Sequence, residues 1–254
     1  MLLTIDVGNT NITFGLYGGD TLNGRWRIST NHNRMPDEYG LMLINMLKYD
    51  NLKPEDIDGI CMASVVPPVT SYLIQACEEY VNIRPLIVNH ETKTGIKIFI
   101  DDPSSVGSDR IVNAVAVQHY FGGPACIVDF GTATTFDALD KDANYIGGAI
   151  TPGIYVAEEA LIRRTSKLPS VELLSPPSVI GKNTVHAIQS GLLFGYVSLV
   201  EGMIKRFGKE LGSDMKVIAT GGLANIISNE TNIIQYTCPW LTLDGLRIIW
   251  EMNQ

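Results

Sequence analysis

Two short stretches of this chain concentrate residues able to manage a phosphate. Asp6-Val7-Gly8-Asn9-Thr10-Asn11 follows the apolar run Leu2 to Ile5 and leads into Ile12-Thr13-Phe14. Its glycine lets backbone N–H groups approach an anion, and Asn9, Thr10 and Asn11 add donors without charge. Asp6, at the end of the apolar run, is placed to hold a hydrated divalent cation beside phosphates. Nearly half a chain later, Asp129-Phe130-Gly131-Thr132-Ala133-Thr134-Thr135 offers the same parts with three hydroxyls. Each stretch alone also reads as an Asx-type hairpin turn. Their recurrence at corresponding places of two half-chains favours a pair of phosphate-gripping turns.

A third turn, Thr220-Gly221-Gly222, comes between the apolar run Val217-Ile218-Ala219 and a short helical segment. That geometry can present a helix N-terminus to a phosphate or nucleoside, and it is equally a generic strand-to-helix turn. The P-loop pattern fails near Gly181-Lys182, where Pro176 occupies the first glycine's place and Asn183 follows the lysine; GxGxxG is absent. Asp109, in Gly107-Ser108-Asp109-Arg110, precedes the apolar Ile111-Val112. A carboxylate there serves as a helix cap, as a proton acceptor, or as both. Lysine and arginine are nearly missing from the three glycine turns, which points to bound cations as the source of positive charge. His32, His90, His119 and His186 pair with no serine or cysteine elbow, so hydrolase chemistry has no support. His186 reads as a helix packing or surface residue.

The elements that must position these residues repeat as well. Strand, turn and alternating strand open each half. After the first turn the pattern predicts a strand over 25–29, a helix over 36–47, a strand over 57–66, a helix over 69–81 and a strand over 85–88. A helix over 109–120 ends the half. After the second turn it predicts a strand over 145–150, helices over 154–164 and 184–211, a strand over 216–219 and a short helix. The tail reads as strand-like over 233–236 with a last apolar stretch over 246–250. Strands alternating with helices, each half opened by a hairpin, predict an α/β fold with mixed sheets flanked by helices. Phe121-Gly122-Gly123-Pro124 marks the boundary, giving domains 1–121 and 122–254 with a ligand in the cleft between them.

Composition agrees with an ordinary folded chain: 254 residues, 45% apolar, 18% charged and 8% aromatic. The 19 basic and 27 acidic residues leave a net charge of −8, which argues against nonspecific nucleic-acid or anionic-membrane binding. Neither a leader nor an uninterrupted apolar span is seen; the richest window, 190–203, is broken by Gly191, Gly195, Ser198, Glu201 and Gly202. The expectation is a cytoplasmic protein with no membrane and no nucleic-acid partner. Cys61, Cys77, Cys126 and Cys238 are far apart, without a CxxC, and read as reduced core thiols.

The ordered set DxGNT, DFGTATT and TGG resembles the phosphate 1, phosphate 2 and adenosine segments of the acetate and sugar kinase, Hsp70 and actin superfamily. Within it, Gly107-Ser108-Asp109-Arg110 together with Gly147-Gly148-Ala149-Ile150-Thr151-Pro152-Gly153 is similar to type III pantothenate kinase, over essentially the whole chain. The resemblance implies duplicated ribonuclease-H-like domains and a homodimer. It implies ATP-dependent phosphorylation of pantothenate on its primary hydroxyl to 4′-phosphopantothenate, the first step of coenzyme A biosynthesis. It also implies magnesium or another divalent cation, and potassium or ammonium. Carried over by motif, Asp6, Val7, Gly8, Asn9, Thr10, Asn11, Ile12 and Thr13 wrap the ATP phosphates, with Thr132, Gly221 and Gly222 as further ATP contacts. Asp6 meets the divalent ion through water and Asp129 sits at the monovalent cation. Gly107, Ser108, Asp109 and Arg110 bind pantothenate, Asp109 accepts the proton, and Thr184 is a further substrate contact unless it caps its helix. Arg110 pairs either with the pantothenate carboxylate or with a neighbouring acid.

Two departures touch substrate fit. A tyrosine common in that family before the GxDR segment is replaced by Ile100, beside Phe99, so the contact is apolar or the alignment shifts by one. Ser108 stands where alanine is commoner and adds a hydroxyl expected to be tolerated. An accessory or regulatory protein with reduced catalysis is the alternative; retention of Asp6, Asp109, Asp129 and Thr132 together argues against it. An ATPase or sugar kinase of the wider superfamily is disfavoured by the short chain. The helix over 190–203 is the expected dimer contact.

Overall fold

A meander opens the chain: β1 (Leu2–Val7), β2 (Asn11–Gly18) and β3 (Thr21–Ser29). Helix α1 (Pro36–Tyr49), β4 (Gly59–Ser64), α2 (Pro67–Tyr80), the short β5 (Leu86–Ile87) and α3 (Ser108–Tyr120) follow. The second half repeats the plan with β6 (Ala125–Phe130), β7 (Ala133–Leu139) and β8 (Tyr145–Pro152). It continues through α4 (Ile154–Arg164), α5 (Thr184–Leu211), β9 (Lys216–Thr220), α6 (Ala224–Ser228), β10 (Tyr236–Thr237) and α7 (Leu241–Met252). This computed structural model describes residues 1–254.

The two sheets share one topology. The first runs β3-β2-β1-β4-β5 and the second, read in the same sense, β8-β7-β6-β9-β10. In each, the opening strand is central, antiparallel to its hairpin partner and parallel to the strand on its other side. Asp6 and Asp129 hold the same place in this plan, each the penultimate residue of a central strand. The doubling read from the sequence is therefore a doubling of topology, and the sheets are mixed as expected.

Burial explains the sequence patterns. β4 sits inside its sheet with both faces covered, so it reads as a continuous small and apolar run. Ile60 and Met62 face Leu43, Val69 and Leu73 of α1 and α2, while Cys61 and Ala63 face Val112, Leu246 and Ile249 of α3 and α7. β3, at the edge, alternates exposed and half-buried positions. In the second sheet Cys126, Val128 and Phe130 lie against Leu193, Tyr196 and Val200 of α5. Burial pushes the Cys61 and Cys77 thiols up to about 12, so these are inert core residues.

Four points of the sequence reading change. The stretch 246–250 is helical: Leu241, Leu243, Leu246, Ile248 and Ile249 are buried within α7, and these apolar positions cover β1 and β4. That docking also changes the domain division. The compact units are Met1–His119 with Leu241–Gln254, and Tyr120–Trp240, so the expected second domain of 122–254 loses its last helix to the first. The strand placed over 233–236 forms instead at Tyr236–Thr237, where it pairs with Ile218 and Ala219. Helix α5 is long and apolar enough to cross a membrane by length and composition, which counting its glycine interruptions had discounted. Ile188, Leu193, Tyr196, Val197, Val200 and Ile204 are buried along it, and most of them belong to the core of the second unit.

Candidate active site

In the first unit, sheet register brings two of the sequence candidates to one end. Asp6 is opposite Thr13 on β2 and Ala63 on β4, and Val7 is opposite Ser64. The turn that follows is closed by the Gly8 N–H donating to the Asn11 carbonyl at 2.9 Å. That N–H is therefore committed to the hairpin. Thr30, just past β3, clasps the same turn: its N–H donates to the Thr10 carbonyl at 2.9 Å and its hydroxyl to the Gly8 carbonyl at 2.6 Å. Asn9, Thr10 and Asn11 are exposed, whereas the Val7 and Ile12 side chains are fully buried. Val7 and Ile12 can offer a ligand nothing but backbone.

The GSDR segment starts α3 against the end of β4. The Ser108 hydroxyl accepts from the Ser64 N–H at 2.9 Å and donates to the Ser64 carbonyl at 3.0 Å. Because Ser64 pairs with Val7, the start of α3 and the first glycine turn share one end of the sheet. Asp109 Oδ1 accepts from the Arg110 N–H at 2.9 Å. A Cβ on Gly107 would lie 2.5 Å from that same Oδ1, so the glycine leaves the space in which the carboxylate rests. Burial pushes the Asp109 carboxyl above its ordinary value, opposed by the Arg110 N–H and by the Arg110 charge. Asp109 is in the first turn of α3, and its burial favours the protonated carboxyl over the ionised one. Ile100 is half-buried in the segment before α3, and Phe99 beside it is exposed.

In the second unit three turns meet. Asp129 is opposite Thr135 on β7 and Thr220 on β9. The hairpin turn is closed by the Gly131 N–H donating to the Ala133 carbonyl at 3.1 Å, and the Gly153 N–H, at the N-cap of α4, donates to the Thr132 carbonyl at 3.0 Å. Gly221 has φ +89°, and a Cβ there would collide with Asp129 Oδ1 and with the Phe130 backbone. The TGG turn is thus fitted against the Asp129 carboxylate, which no side chain other than glycine's hydrogen permits. Of the three hydroxyls, Thr132 is exposed; Thr134 is buried, accepting a hydrogen bond from the Tyr196 hydroxyl; and Thr135 donates to Asp137 Oδ2 at 3.0 Å.

Thr184 is the first residue of α5 and is exposed; its neighbour Asn183 is the cap, accepting from the His186 N–H at 2.8 Å. The alternative that Thr184 caps the helix is thereby removed. Thr184 lines a cavity of about 750 Å³ with Leu161, Lys182 and Ile188. His186 touches Asn183 and no nucleophile. No group of three or more His, Cys, Asp or Glu side chains forms a metal cage. Single carboxylates such as Asp6 and Asp129 suit cations that take their remaining oxygens from water and phosphates.

Sequence reasoning missed the residues that hold the turns. Thr30, Ser64, Asp137 and Tyr196 act across the chain, and no local spacing marks them. Asp137 is fully buried and accepts from the Tyr145 hydroxyl at 2.8 Å. Tyr196 reaches Thr134 and the Pro152 carbonyl, at 3.3 Å for the latter, from the middle of α5.

Comparison with known proteins agrees with this geometry. A Campylobacter jejuni protein named for a Baf family of transcriptional activators superposes with a TM-score of 0.62 at 19% identity, covering 99% of this chain and 98% of that one. The inorganic polyphosphate/ATP-glucomannokinase of Arthrobacter sp. strain KM gives a TM-score of 0.52 at 12% identity, covering 100% and 99%. At such identities the likeness shows a fold, that of the actin-like ATPases and sugar kinases. A type III pantothenate kinase of Roseiflexus sp. strain RS-1 is 48% identical over 254 residues, all of both chains. The type III pantothenate kinase family model matches residues 2–206. With the glycine turns, the GSDR segment and the doubled sheets all in their places, the chain belongs to the type III pantothenate kinase family.

Proposed function

We propose that this protein transfers the γ-phosphoryl group of ATP to the primary hydroxyl of pantothenate, yielding 4′-phosphopantothenate and ADP at the entry to coenzyme A biosynthesis. The observation that carries the site assignment is the shared sheet end in the first unit. Through the Val7–Ser64 pairing and the Ser64–Ser108 bonds, a phosphate-type turn and a half-buried carboxylate are held on one frame.

In this reading the Asp6–Thr13 turn, Thr132, Gly221 and Gly222 hold ATP. Ile100, Gly107, Arg110, Thr184 and the backbone of Ser108, whose hydroxyl is taken by Ser64, surround pantothenate. The alcohol oxygen forms a bond to the γ-phosphorus as the bond from that phosphorus to the β–γ bridging oxygen breaks. The alcohol proton passes to Asp109, and ADP leaves. Such transfer runs through a loose transition state, so alignment and charge neutralisation dominate, with the proton leaving late. The glycine turns contain no lysine or arginine, so the developing charge needs cations: a divalent ion held through water by Asp6, and potassium or ammonium at Asp129. We further read the protein as a cytoplasmic homodimer. Gly191, Gly195 and Gly202 open onto empty space along α5, and Leu199 beside them is 37% exposed, a surface suited to a second helix.

A labelled-phosphate assay with ATP, magnesium and potassium, run against pantothenate, simple sugars and no acceptor, tests the reaction. Label is expected in pantothenate alone, and Asp109→Asn is expected to lose most turnover, about 10²-fold or more, while keeping its fold. Transfer to a sugar, or to water alone, would replace this reading.

A further inference from the structure

Ser108 does something that the backbone of its segment cannot. β5 is two residues long and pairs with Cys61 and Met62, and Val88 adds one further bond to the Met62 carbonyl. Ser64 lies beyond this reach, so on that side its N–H and carbonyl have no strand to meet. The Ser108 hydroxyl takes both, one as acceptor and one as donor, at 2.9 and 3.0 Å. Ser108 is 8% exposed, so water cannot readily stand in. A single hydroxyl therefore finishes the β4 ladder and fastens the first turn of α3 to it.

The next residue is Asp109. We propose that Ser108 is a positioning residue for the transfer reaction: its hydroxyl locks the start of α3 to the end of β4 and thereby fixes the Asp109 carboxylate relative to the first glycine turn. This rests on Asp109 as the proton acceptor. Val7 is opposite Ser64, and the Val65 N–H donates to the Val7 carbonyl at 3.1 Å, so the strand that Ser108 grips is the one bonded to the glycine turn's own strand. An alanine at 108 would leave Asp109 in the sequence and cut this link. The hydroxyl that the sequence comparison treated as tolerated has a task.

Steady-state kinetics of Ser108→Ala, and of Ser108→Cys as a near-isosteric variant with a poor hydrogen-bonding group, test the proposal. Misplacing a reacting group by about 1 Å costs up to ~10²-fold, so kcat is expected to fall about tenfold or more with KM for ATP and pantothenate within about twofold. Loosening α3 also admits water to Asp109, and the acidic limb of the kcat–pH profile is expected to move to lower pH. Thr70→Val supplies the structural control. It removes hydroxyl bonds to Ser64 Oγ (2.6 Å) and the Val66 carbonyl (2.9 Å) without touching Ser108, and should lower Tm with kcat unchanged. Wild-type kcat and pH limb in both Ser108 variants would overturn the proposal, as would a pure rise in pantothenate KM or an equal loss of kcat in Thr70→Val. Asp109→Asn is measured in parallel: full activity there removes the base itself, whereas an inactive Asp109→Asn beside an unaffected Ser108→Ala removes only the positioning role.

Discussion

Burial makes the Asp109 carboxyl suited to its proposed role and also makes it costly. A base poised above the ordinary carboxylate range accepts a proton more readily as the alcohol is attacked, yet the fold disfavours its ionised form. Since the folded value lies above the unfolded one, the stabilisation is fully present below the ordinary carboxylate range and is lost as pH rises through the raised folded value. Two results should follow. The kcat–pH profile should lose activity towards acid with a limb above the ordinary carboxylate range, and Asp109→Asn should melt higher than wild type at pH 7. Calorimetry of the two proteins at pH 7 and at pH 4 checks the second, with the gap narrowing at the lower pH. A variant that melts lower at both would mean that the helix-start interaction of the charged carboxylate outweighs its desolvation.

At the scale of elements, the decisive piece is the last helix. α7 contributes Leu246, Ile248 and Ile249 to the face of the first sheet that also holds Val112 and Val115 of α3. Arg247, 4% exposed, pairs with Asp20 after β2 at 2.6 Å and with Glu251 at 2.7 Å, and the Tyr17 hydroxyl donates to Asp244 at 2.7 Å. α7 and α3 are thus packed layers of one unit, and α3 presents Asp109. Leu246→Ala should cost about 2–5 kcal/mol, the range for a buried leucine leaving a cavity, read as a lower denaturant midpoint. Because the cavity lies under α3, turnover should also fall by more than in a destabilised control substituted in α6. Equal activities per folded molecule would separate α7 from the site.

For the molecule as a whole, charge and apolar surface point in different directions. A net charge of −8 opposes anionic partners, so attraction for ATP has to be local. Exposed apolar residues gather in the second unit instead: Ile180 is 80% exposed, Val179 66% and Leu174 52%. A surface of this kind suits a second copy of the chain better than a charged ligand. Sedimentation at micromolar concentration should give twice the 27.8 kDa chain mass, and a charged residue in place of Leu199 should shift the protein towards monomer. A monomer at all concentrations would end the homodimer reading.

The sequence by itself determined the doubling, the mixed sheets and the residues of the glycine turns, because these rest on local signals: a period of two in strands, glycines where turns tighten, and an aspartate closing each central strand. It also determined the family, through an ordered set of short motifs. Its errors were where tertiary contacts decide. Leu246–Trp250 is apolar enough for a strand or a helix, and burial against β4 and α3 selected the helix and took it into the first unit. Ser108 read as a tolerated hydroxyl, and Tyr196 carried no sequence signal at all. Their partners, Ser64 and Thr134, are 44 and 62 residues away along the chain. Hydrogen bonds across such distances are set by which faces the sheets bury, and no local spacing encodes them. The sequence thus marked the candidate groups, and the fold decided what holds them still.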